Sequence, residues 1–368
     1  MIHFGKALET AARAIRPFAL PSYRRAFKEL AARGLSQHRP GEPIVCCDFA
    51  DPRIDSVGGR YYFSFVRDLI DAGYFPVFTQ HRNTLSTFGT SHMKSLLLKE
   101  RMGTVPNLEV LREPYLLITD REIAAPALAG RMVFVDYEKR MRRSADEISF
   151  PVFVHPQVAA KCALPFDYGV EAPRAARLFF GGNTEEGKYD KDLIRDEYHM
   201  LTRRDMLGAV AEVAVTYKPT DTIAWLASDE FHPYVLCETQ HCKIPQERWL
   251  EALAKADFFL ACPGVGMPLC HNLVEAMATG TIPVLQYHRY LDPPLENNVN
   301  CLSFGSADEL KALVARILAM SPAELLSLRS GVRDYYNRHH APAAFAKKLT
   351  SGEGNKRVLL LNAYRVVR

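Results

Sequence analysis

The residues best suited to chemistry lie in one glycine loop and in the helix predicted to follow it. Gly264 and Gly266 allow a ligand to approach the backbone closely. The first turn of the helix, at His271 and Asn272, presents unpaired N–H groups and the positive end of the helix dipole, which attract phosphate. Glu275 follows about one turn later, where a carboxylate could accept hydrogen bonds from ribose hydroxyls. The spacing predicts a nucleotide-binding loop, and the alternative is a tight turn of an ordinary α/β domain.

The residues around this loop predict a strand, a loop, a helix and a second strand. Residues 257–261 form a short apolar run that suits a buried strand, and residues 263–268 interrupt regular structure. The apolar residues then recur at helical spacing, at Leu269, Leu273, Ala276 and Met277. Residues 282–285 suit the next buried strand. This order is the βαβ unit of a parallel sheet.

This region resembles the nucleotide-sugar site of GT-B glycosyltransferases and is most similar to that of the exostosin-like enzymes. The resemblance covers roughly residues 175–345 and rests on three segments: Arg177-Leu178-Phe179-Phe180-Gly181-Gly182-Asn183, Phe258-Phe259-Leu260-Ala261-Cys262-Pro263-Gly264 and Leu273-Val274-Glu275-Ala276-Met277-Ala278-x-Gly280-x-Ile282-Pro283-Val284. Two positions depart from these families. Met267 stands where the common retaining enzymes carry a second Glu, and His271 stands where exostosin-like enzymes carry Arg. A phosphate contact through His271 would depend on pH.

The resemblance implies an α/β protein with the GT-B fold, in which two Rossmann-like domains face each other across a cleft. We place the boundaries from composition and from the predicted elements. They give a basic helical arm, an acceptor-side domain, a nucleotide-sugar-binding domain and a C-terminal tail at residues 1–40, 41–170, 171–345 and 346–368. Further strands are predicted at 44–47, 75–79, 108–111, 115–118, 132–135, 152–154, 176–180 and 213–217, and further helices at 246–256, 307–320 and 322–339.

The resemblance also implies an activity, the transfer of a sugar from a nucleoside diphosphate sugar to a glycan or a lipid-linked saccharide, in cell-surface polysaccharide biosynthesis. The reaction is expected to invert the anomeric centre and to need neither a metal nor a cofactor, because no Asp-x-Asp motif adjoins the predicted loop. Backbone N–H groups and cationic side chains would stabilise the leaving diphosphate instead. The donor contacts would come from Gly181, Gly182, Asn183, Lys218, Gly264, Gly266, His271, Asn272 and Glu275.

An inverting transfer also needs a base for the acceptor hydroxyl. Asp55 lies in the polar loop after the first predicted strand, and Asp136 follows the strand predicted at 132–135. Ligands of open parallel sheets bind at such strand ends, so these two carboxylates are the candidate catalytic residues.

Two other functions fit the same residues. One is a fucosyltransferase-like enzyme with a guanine-nucleotide donor, and the other is a non-catalytic glycan-binding or nucleotide-binding protein of the same fold. Donor turnover would separate an enzyme from a binding protein. The preferred nucleotide base would separate the two kinds of enzyme.

The formal net charge of +4 is unevenly distributed along the chain. The first 40 residues hold eight basic and two acidic residues, a net of +6, which leaves −2 for the remaining residues. The body of the protein therefore gives no reason to expect a nucleic-acid partner. The arm is predicted to be helical with apolar stripes, which suits an anionic membrane surface. The alternative is an arm packed on the body with its basic side in water.

The eight cysteines have no disulfide-framework or zinc-ligand spacing. No apolar run approaches the roughly 20 residues that cross a bilayer. The chain is therefore expected to be cytoplasmic, and peripheral at the inner face of the membrane where the arm binds it.

Overall fold

The computed structural model describes residues 15–137, 144–162, 169, 171–185, 187 and 192–359. These residues divide into two compact units. The first contains residues up to 137, 144–150 and 342–359, and the second contains those from 151 to 341. This division differs from the boundary predicted near residue 170 and from the tail predicted at 346–368, because residues 342–359 belong to the first unit.

Each unit is built on one sheet whose strand pairs are all parallel. The strands are β1 Ile44–Asp48, β2 Phe75–Thr79, β3 Gly103–Val105, β4 Tyr115–Thr119, β5 Ala129–Asp136, β6 Glu147–Ser149, β7 Ala176–Gly182, β8 Thr216–Tyr217, β9 His232–Glu238, β10 Ala256–Leu260, β11 Ile282–Leu285, β12 Leu302–Ser303 and β13 Lys356–Leu359. The helices are α1 Pro21–Ala31, α2 Ser56–Asp71, α3 Arg82–Leu85, α4 Pro156–Lys161, α5 Asp192–Asp196, α6 Arg203–Ala211, α7 Thr222–Ala227, α8 Trp249–Ala254, α9 His271–Ala278, α10 Ala307–Ala319, α11 Pro322–His339 and α12 Ala344–Thr350.

The sheet of the first unit has the order β3-β2-β1-β4-β5-β13-β6. Without β13 this is the Rossmann order 3-2-1-4-5-6, which reverses direction between β1 and β4. Strands β1, β2 and β4 are buried along their whole length, as expected for a parallel sheet covered on both faces. The prediction of an α/β protein with Rossmann-like domains is confirmed for this unit.

A buried carboxylate secures the returning C-terminal segment to the first unit. Asp68 on α2 accepts hydrogen bonds from Ala343 N at 2.9 Å and Ala346 N at 2.6 Å, at the start of α12. Ala343 has a φ of +68°, so the chain turns sharply into this helix. Burial raises the pKa of Asp68 to about 7, although the two backbone N–H groups oppose the shift. This cap helps to place β13 inside the sheet.

The sheet of the second unit has the order β12-β11-β10-β7-β9-β8, with the first strand of the unit near its middle. The order reverses between β7 and β10, so this unit is also doubly wound. Helix α9 is buried from Leu273 to Ala278 and packs in the main apolar core. The βαβ unit predicted at 257–285 is confirmed as β10, α9 and β11.

Two predicted strands are wrong, each for a local reason. Residues 108–111 form a 3₁₀ turn over Leu108–Val110, because the Asn107 side chain accepts a hydrogen bond from Glu109 N and caps the turn. Residues 152–154 lie outside the sheet, and the carbonyls of Val152 and Phe153 pair with histidine side chains where a strand would pair with another strand. Val152 O pairs with His340 Nδ1 at 3.1 Å, and Phe153 O pairs with His271 Nδ1.

The described part of the basic arm packs on the first unit. Helix α1 buries Ala26 and Leu30, and Leu30 O accepts a hydrogen bond from Thr104 Oγ1 at 2.9 Å. The Phe18 ring lies 4.9 Å from the Arg82 guanidinium but remains 54% exposed. Residues 1–14 lie outside the described residues. In the part that the structure describes, no helix is long and apolar enough to cross a membrane.

Candidate functional site

The carboxyl edge of the second sheet places several predicted residues together. Gly181 and Gly182 end β7, and Asn183 follows them. The β10–α9 loop, residues 261–270, leaves the neighbouring strand β10. Since the strand order reverses between β7 and β10, this edge is where an open α/β sheet forms a ligand crevice.

The β10–α9 loop is tightly folded. Gly264 N donates to Pro268 O at 3.3 Å, and a Cβ on Gly264 would lie only 2.8 Å from Met267 O. Gly264 is therefore required by the turn itself. Gly266 and Asn272 are half-buried, and the side chain of the N-cap residue Cys270 makes no capping hydrogen bond to the start of α9. The His271 ring contacts the carbonyl of Phe153.

Glu275 is 1% exposed, and both its carboxylate oxygens accept hydrogen bonds. Oε1 accepts from His155 N at 2.8 Å, and Oε2 accepts from Trp249 Nε1 at 2.6 Å. Gly181 belongs to the same arrangement, because a Cβ there would lie 2.8 Å from the Trp249 ring. These contacts give Glu275 and Gly181 a packing role that spacing alone did not indicate.

Arg203, a residue that the sequence analysis did not select, joins the two strand ends at this edge. Its Nη1 donates to Asn183 O at 2.6 Å, and its Nη2 donates to Pro263 O at 3.3 Å. The side chain is 6% exposed and lies over the Phe180 ring. Arg203 is the first residue of α6, after a capping box formed by Thr202. The local signal was this capping box, which the sequence shows as a Thr three residues before an Asp.

Lys218 and Glu238 form an accessible ion pair at the same edge. Lys218 Nζ lies 2.8 Å from Glu238 Oε2, and Thr184 Oγ1 donates to Glu238 Oε1 at 2.8 Å. Burial raises the pKa of Glu238, but the hydrogen bonds from Lys218 and Thr184 outweigh it and hold the pKa below its ordinary value. The Lys218 side chain is 59% exposed, so its charge is available to an anion.

In the first unit, the structure places Asp55 in a buried ion pair. Lys94 Nζ lies 2.8 Å from Asp55 Oδ1 and 2.8 Å from Thr87 Oγ1, and it sits 3.9 Å from the centre of the Tyr62 ring. Burial lowers the pKa of Lys94 to about 8, although Asp55 opposes the shift. Lys94 Nζ thus contacts both carboxylate oxygens of Asp55, Oδ1 at 2.8 Å and Oδ2 at 3.2 Å.

The second predicted catalytic residue, Asp136, lies at the end of β5. Its Oδ2 lies 2.7 Å from Arg357 Nη1 on the neighbouring strand β13. Asp55 and Asp136 are therefore both paired with cations, Asp55 on the loop after β1 and Asp136 on β5.

The carboxyl edge of the first sheet holds a polar cluster around Asp48 that the sequence analysis missed. Asp48 is the last residue of β1 and is fully buried. It accepts hydrogen bonds from Thr79 Oγ1 at 2.7 Å and Thr119 Oγ1 at 2.9 Å. His81 Nε2 lies 2.7 Å from Asp48 Oδ1, and Arg121 Nη1 lies 3.4 Å from Oδ2. The available signal was a polar residue at the carboxyl end of each of three adjacent predicted strands.

Metal ligation is not apparent in the residues that the structure describes, where no group of three His, Cys, Asp or Glu side chains could hold an ion. All eight cysteines are free thiols. Burial raises the pKa of several of them, to about 12 for Cys262 and for Cys301. These thiols are therefore protonated near neutral pH and are poor nucleophiles.

Comparison with known proteins gives similarity at the level of structure only. No family model matches the chain, and no curated protein sequence matches it. The Anabaena protein Alr3699/HepE, solved with UDP-glucose, is 10% identical, covers 83% of this chain and 98% of its own, and superposes with a TM-score of 0.42.

Two other solved structures are similar to this chain with lower TM-scores. WaaG, a glycosyltransferase of lipopolysaccharide biosynthesis, is 10% identical over 84% of this chain and 100% of its own, with a TM-score of 0.35. The spinosyn rhamnosyltransferase SpnG, solved with thymidine diphosphate, is 11% identical over 95% of this chain and 84% of its own, with a TM-score of 0.31. At these identities and scores no residue role passes to this chain, and its function has to be argued from its own residues.

Proposed function

We propose that the chain is a GT-B glycosyltransferase, exostosin-like in its donor half, that transfers a sugar from a nucleoside diphosphate sugar to a glycan or lipid-linked saccharide. The observation that carries the proposal is the position of the β10–α9 loop. It lies at the order reversal of the second sheet, where the first turn of α9 and the strand end at Asn183 flank one edge. Diphosphates bind at such helix starts in doubly wound sheets.

The donor-binding residues that we propose have distinct roles. The loop glycines Gly264 and Gly266 give access to the backbone, and His271 and Asn272 begin the helix that faces the diphosphate. Lys218 supplies an exposed positive charge. The other donor contacts proposed from the resemblance are Gly181, Gly182 and Asn183. Glu275, which the resemblance assigns to the donor ribose, is proposed to support the site through its buried hydrogen bonds. The contacts of Gly181 and Glu275 with Trp249 support a role in shaping the site.

The proposed reaction inverts the anomeric centre and needs no metal or other cofactor. Charge develops on the diphosphate as the bond to the sugar breaks, and fixed N–H groups and cations can stabilise it without reorganising. The proposed setting is the cytoplasmic side of cell-surface polysaccharide biosynthesis. The guanine-nucleotide donor and the non-catalytic binding protein remain the alternatives that the first experiment separates.

The proposal is tested by thermal unfolding of the protein with UDP, with dTDP and with GDP. A ligand whose concentration is near 100 times its Kd stabilises the folded state by about 2.7 kcal/mol. We expect one of these to raise the Tm. We also expect turnover of the matching nucleotide sugars in excess chelator. Lys218→Met should weaken the diphosphate affinity about tenfold, because a hydrogen bond to a charged group contributes about 1.5–3 kcal/mol.

Lys311→Met is the matched control, because Lys311 pairs with Glu212 on the surface of the same unit. Its affinity for the diphosphate should equal that of the wild type. An unchanged Tm with every nucleotide would refute the proposal. A raised Tm without turnover would favour a binding protein, and turnover that requires manganese or magnesium would refute metal independence.

We also propose that the N-terminal arm attaches the protein to anionic membranes. Ile15, Phe18 and Leu20 are 61%, 54% and 41% exposed, and they adjoin exposed arginines of α1. Apolar side chains beside basic ones bind anionic lipid headgroups. Deleting residues 1–20 should reduce sedimentation with phosphatidylserine vesicles several-fold and leave nucleotide binding intact. Equal sedimentation of both proteins would assign the arm to packing alone.

A further inference from the structure

We propose that Cys237 and Cys242 are a thiol pair that oxidised glutathione, a small-molecule disulfide, converts to an intramolecular disulfide, and that this step weakens nucleotide binding. The effect on binding rests on the donor site proposed above, whereas the disulfide itself does not depend on it. Cys237 lies on β9 immediately before the last residue of the strand, Glu238. Cys242 follows four residues beyond the strand, in the second unit like its partner.

The two thiols contact each other in the folded protein. The Cys237 side chain shares a hydrogen bond with the Cys242 side chain. Thr222 Oγ1 lies 2.8 Å from Cys242 Sγ and donates to Lys243 O at 3.2 Å. Because the Thr222 hydroxyl has one proton and gives it to Lys243 O, the Cys242 S–H has to donate to Thr222. The Cys242 sulfur is then the acceptor for the Cys237 S–H, so the two sulfur atoms face each other.

The chain between the two cysteines is a surface turn. His241 N and Cys242 N both donate to Glu238 O at 2.8 Å, which folds the turn back on the end of β9. His241 and Lys243 are exposed, although Cys242 between them is only 5% exposed. Opening an exposed turn costs less than opening the core, so a solute can reach Cys242 while β9 stays in the sheet. The positive charge of Lys243 attracts the carboxylates of oxidised glutathione to this turn.

The chemistry of the pair favours exchange between thiols and disulfides. Burial raises the pKa of Cys237, and the neighbouring Cys242 raises it further through its charge and its hydrogen bond. The Cys237 thiol is therefore protonated near neutral pH, and the pair is reduced at rest. A metal would need further ligands, and within the described ranges no three His, Cys, Asp or Glu side chains come together to hold one.

The proposed oxidation consists of two exchanges. The Cys242 thiol loses its proton and attacks one sulfur of oxidised glutathione, which forms a mixed disulfide and releases one glutathione thiolate. Cys237 then loses its proton and its sulfur attacks Cys242 Sγ, which closes the protein disulfide and releases the second thiolate. The two thiolates take up the two protons. The protein pair thus loses two electrons and two protons, and one oxidised glutathione becomes two reduced ones.

Closure of the disulfide is expected to move the donor edge of the second sheet. The S–S bond is about 2 Å long, much shorter than a hydrogen bond between two thiols, so Cys242 has to move toward β9. The turn that carries Cys242 is hydrogen-bonded to Glu238 O, and the Glu238 side chain holds Lys218. Glu238 also lies opposite Gly182 on β7. Oxidation should therefore displace Lys218 and weaken the binding of a nucleoside diphosphate.

The disulfide is tested on the whole protein, which is incubated with excess oxidised glutathione, alkylated in denaturant and digested with trypsin. Peptide 205–243 contains Cys237 and Cys242 and no other cysteine. We expect this peptide to carry two alkyl groups before oxidation and none afterwards, with its own mass lower by two hydrogens. Dithiothreitol should restore both alkyl groups. Cys242→Ser should form no disulfide in this peptide, whereas the control Cys301→Ser, at a fully buried thiol of the same unit, should form it as the wild type does.

Calorimetry gives the second readout, with whichever of UDP, dTDP and GDP raises the Tm of the wild type. We expect the oxidised wild type to bind it about tenfold more weakly, the loss of roughly one hydrogen bond to a charged group, and dithiothreitol to restore the affinity. Oxidised glutathione should not change the affinity of Cys242→Ser, and it should weaken that of Cys301→Ser as in the wild type.

Two results of the mapping would overturn the proposal. One is a peptide that still carries both alkyl groups after oxidation, and the other is a glutathione adduct on Cys242 that does not close to Cys237. A closed disulfide that leaves the affinity unchanged would overturn the effect on nucleotide binding. Failure of the proposed function is separate, because it would appear as a reduced wild type that binds no nucleoside diphosphate, while the peptide still reports the disulfide.

Discussion

Replacing Asp257 with asparagine is expected to lower the free energy of unfolding of the second unit by about 3–5 kcal/mol. Asp257 Oδ2 lies 2.7 Å from Arg177 Nη1, and Oδ1 contacts Arg329 Nη2. The three side chains are only 5%, 16% and 8% exposed, respectively. Asparagine keeps the shape but removes the negative charge, so two largely buried guanidinium groups lose the carboxylate that compensates them.

The measurement is equilibrium unfolding in urea followed by tryptophan fluorescence. Trp225 and Trp249 are the only two tryptophans of the chain, and both belong to the second unit. Their signal therefore reports this unit even if the two units unfold separately. Asp308→Asn is the control, because its side chain is 97% exposed and pairs only at 4.0 Å with Lys311. A loss below about 1 kcal/mol in Asp257→Asn would show that the triad contributes no more than a surface ion pair.

Glu275→Gln is expected to lower the free energy of unfolding of the same unit by about 2–3 kcal/mol. The carboxylate accepts from His155 N and Trp249 Nε1 in a fully buried position. A glutamine amide offers one acceptor, and its NH₂ group would face the remaining donor. One buried donor would then be left unsatisfied, which costs about 1–3 kcal/mol, and a hydrogen bond to a charged acceptor would also be lost.

The same variant separates the two roles open to Glu275. We expect the affinity for the nucleoside diphosphate, measured by calorimetry on the folded variant, to change by less than about threefold. A loss of roughly 10- to 150-fold with unchanged stability would instead support direct ribose binding, because that range corresponds to about 1.5–3 kcal/mol. Glu212→Gln, 63% exposed and paired with Lys311, is the control for both measurements.

Local sequence determined the elements whose signals lie within a few residues. The apolar runs at 75–79 and 282–285 are strands with the predicted bounds, since such runs suit a buried parallel strand. Helix α11 has its predicted bounds because Ser321 and Glu324 form a capping box at its start. The change of period after the glycine loop identified α9, because a buried helical face has to repeat about every 3.6 residues.

Tertiary structure decided which partner each polar side chain has. Asp55 pairs with Lys94, 39 residues away, and Glu275 pairs with His155 N, 120 residues away. Strand β13 enters the first sheet between β5 and β6 although β6 lies some 200 residues earlier in the chain. Periodicity shows which face of an element is buried, but it does not show what covers that face. The sequence alone therefore predicted two α/β domains and the β10–α9 loop, whereas only the folded chain set the bounds of the two units and brought His81 to Asp48.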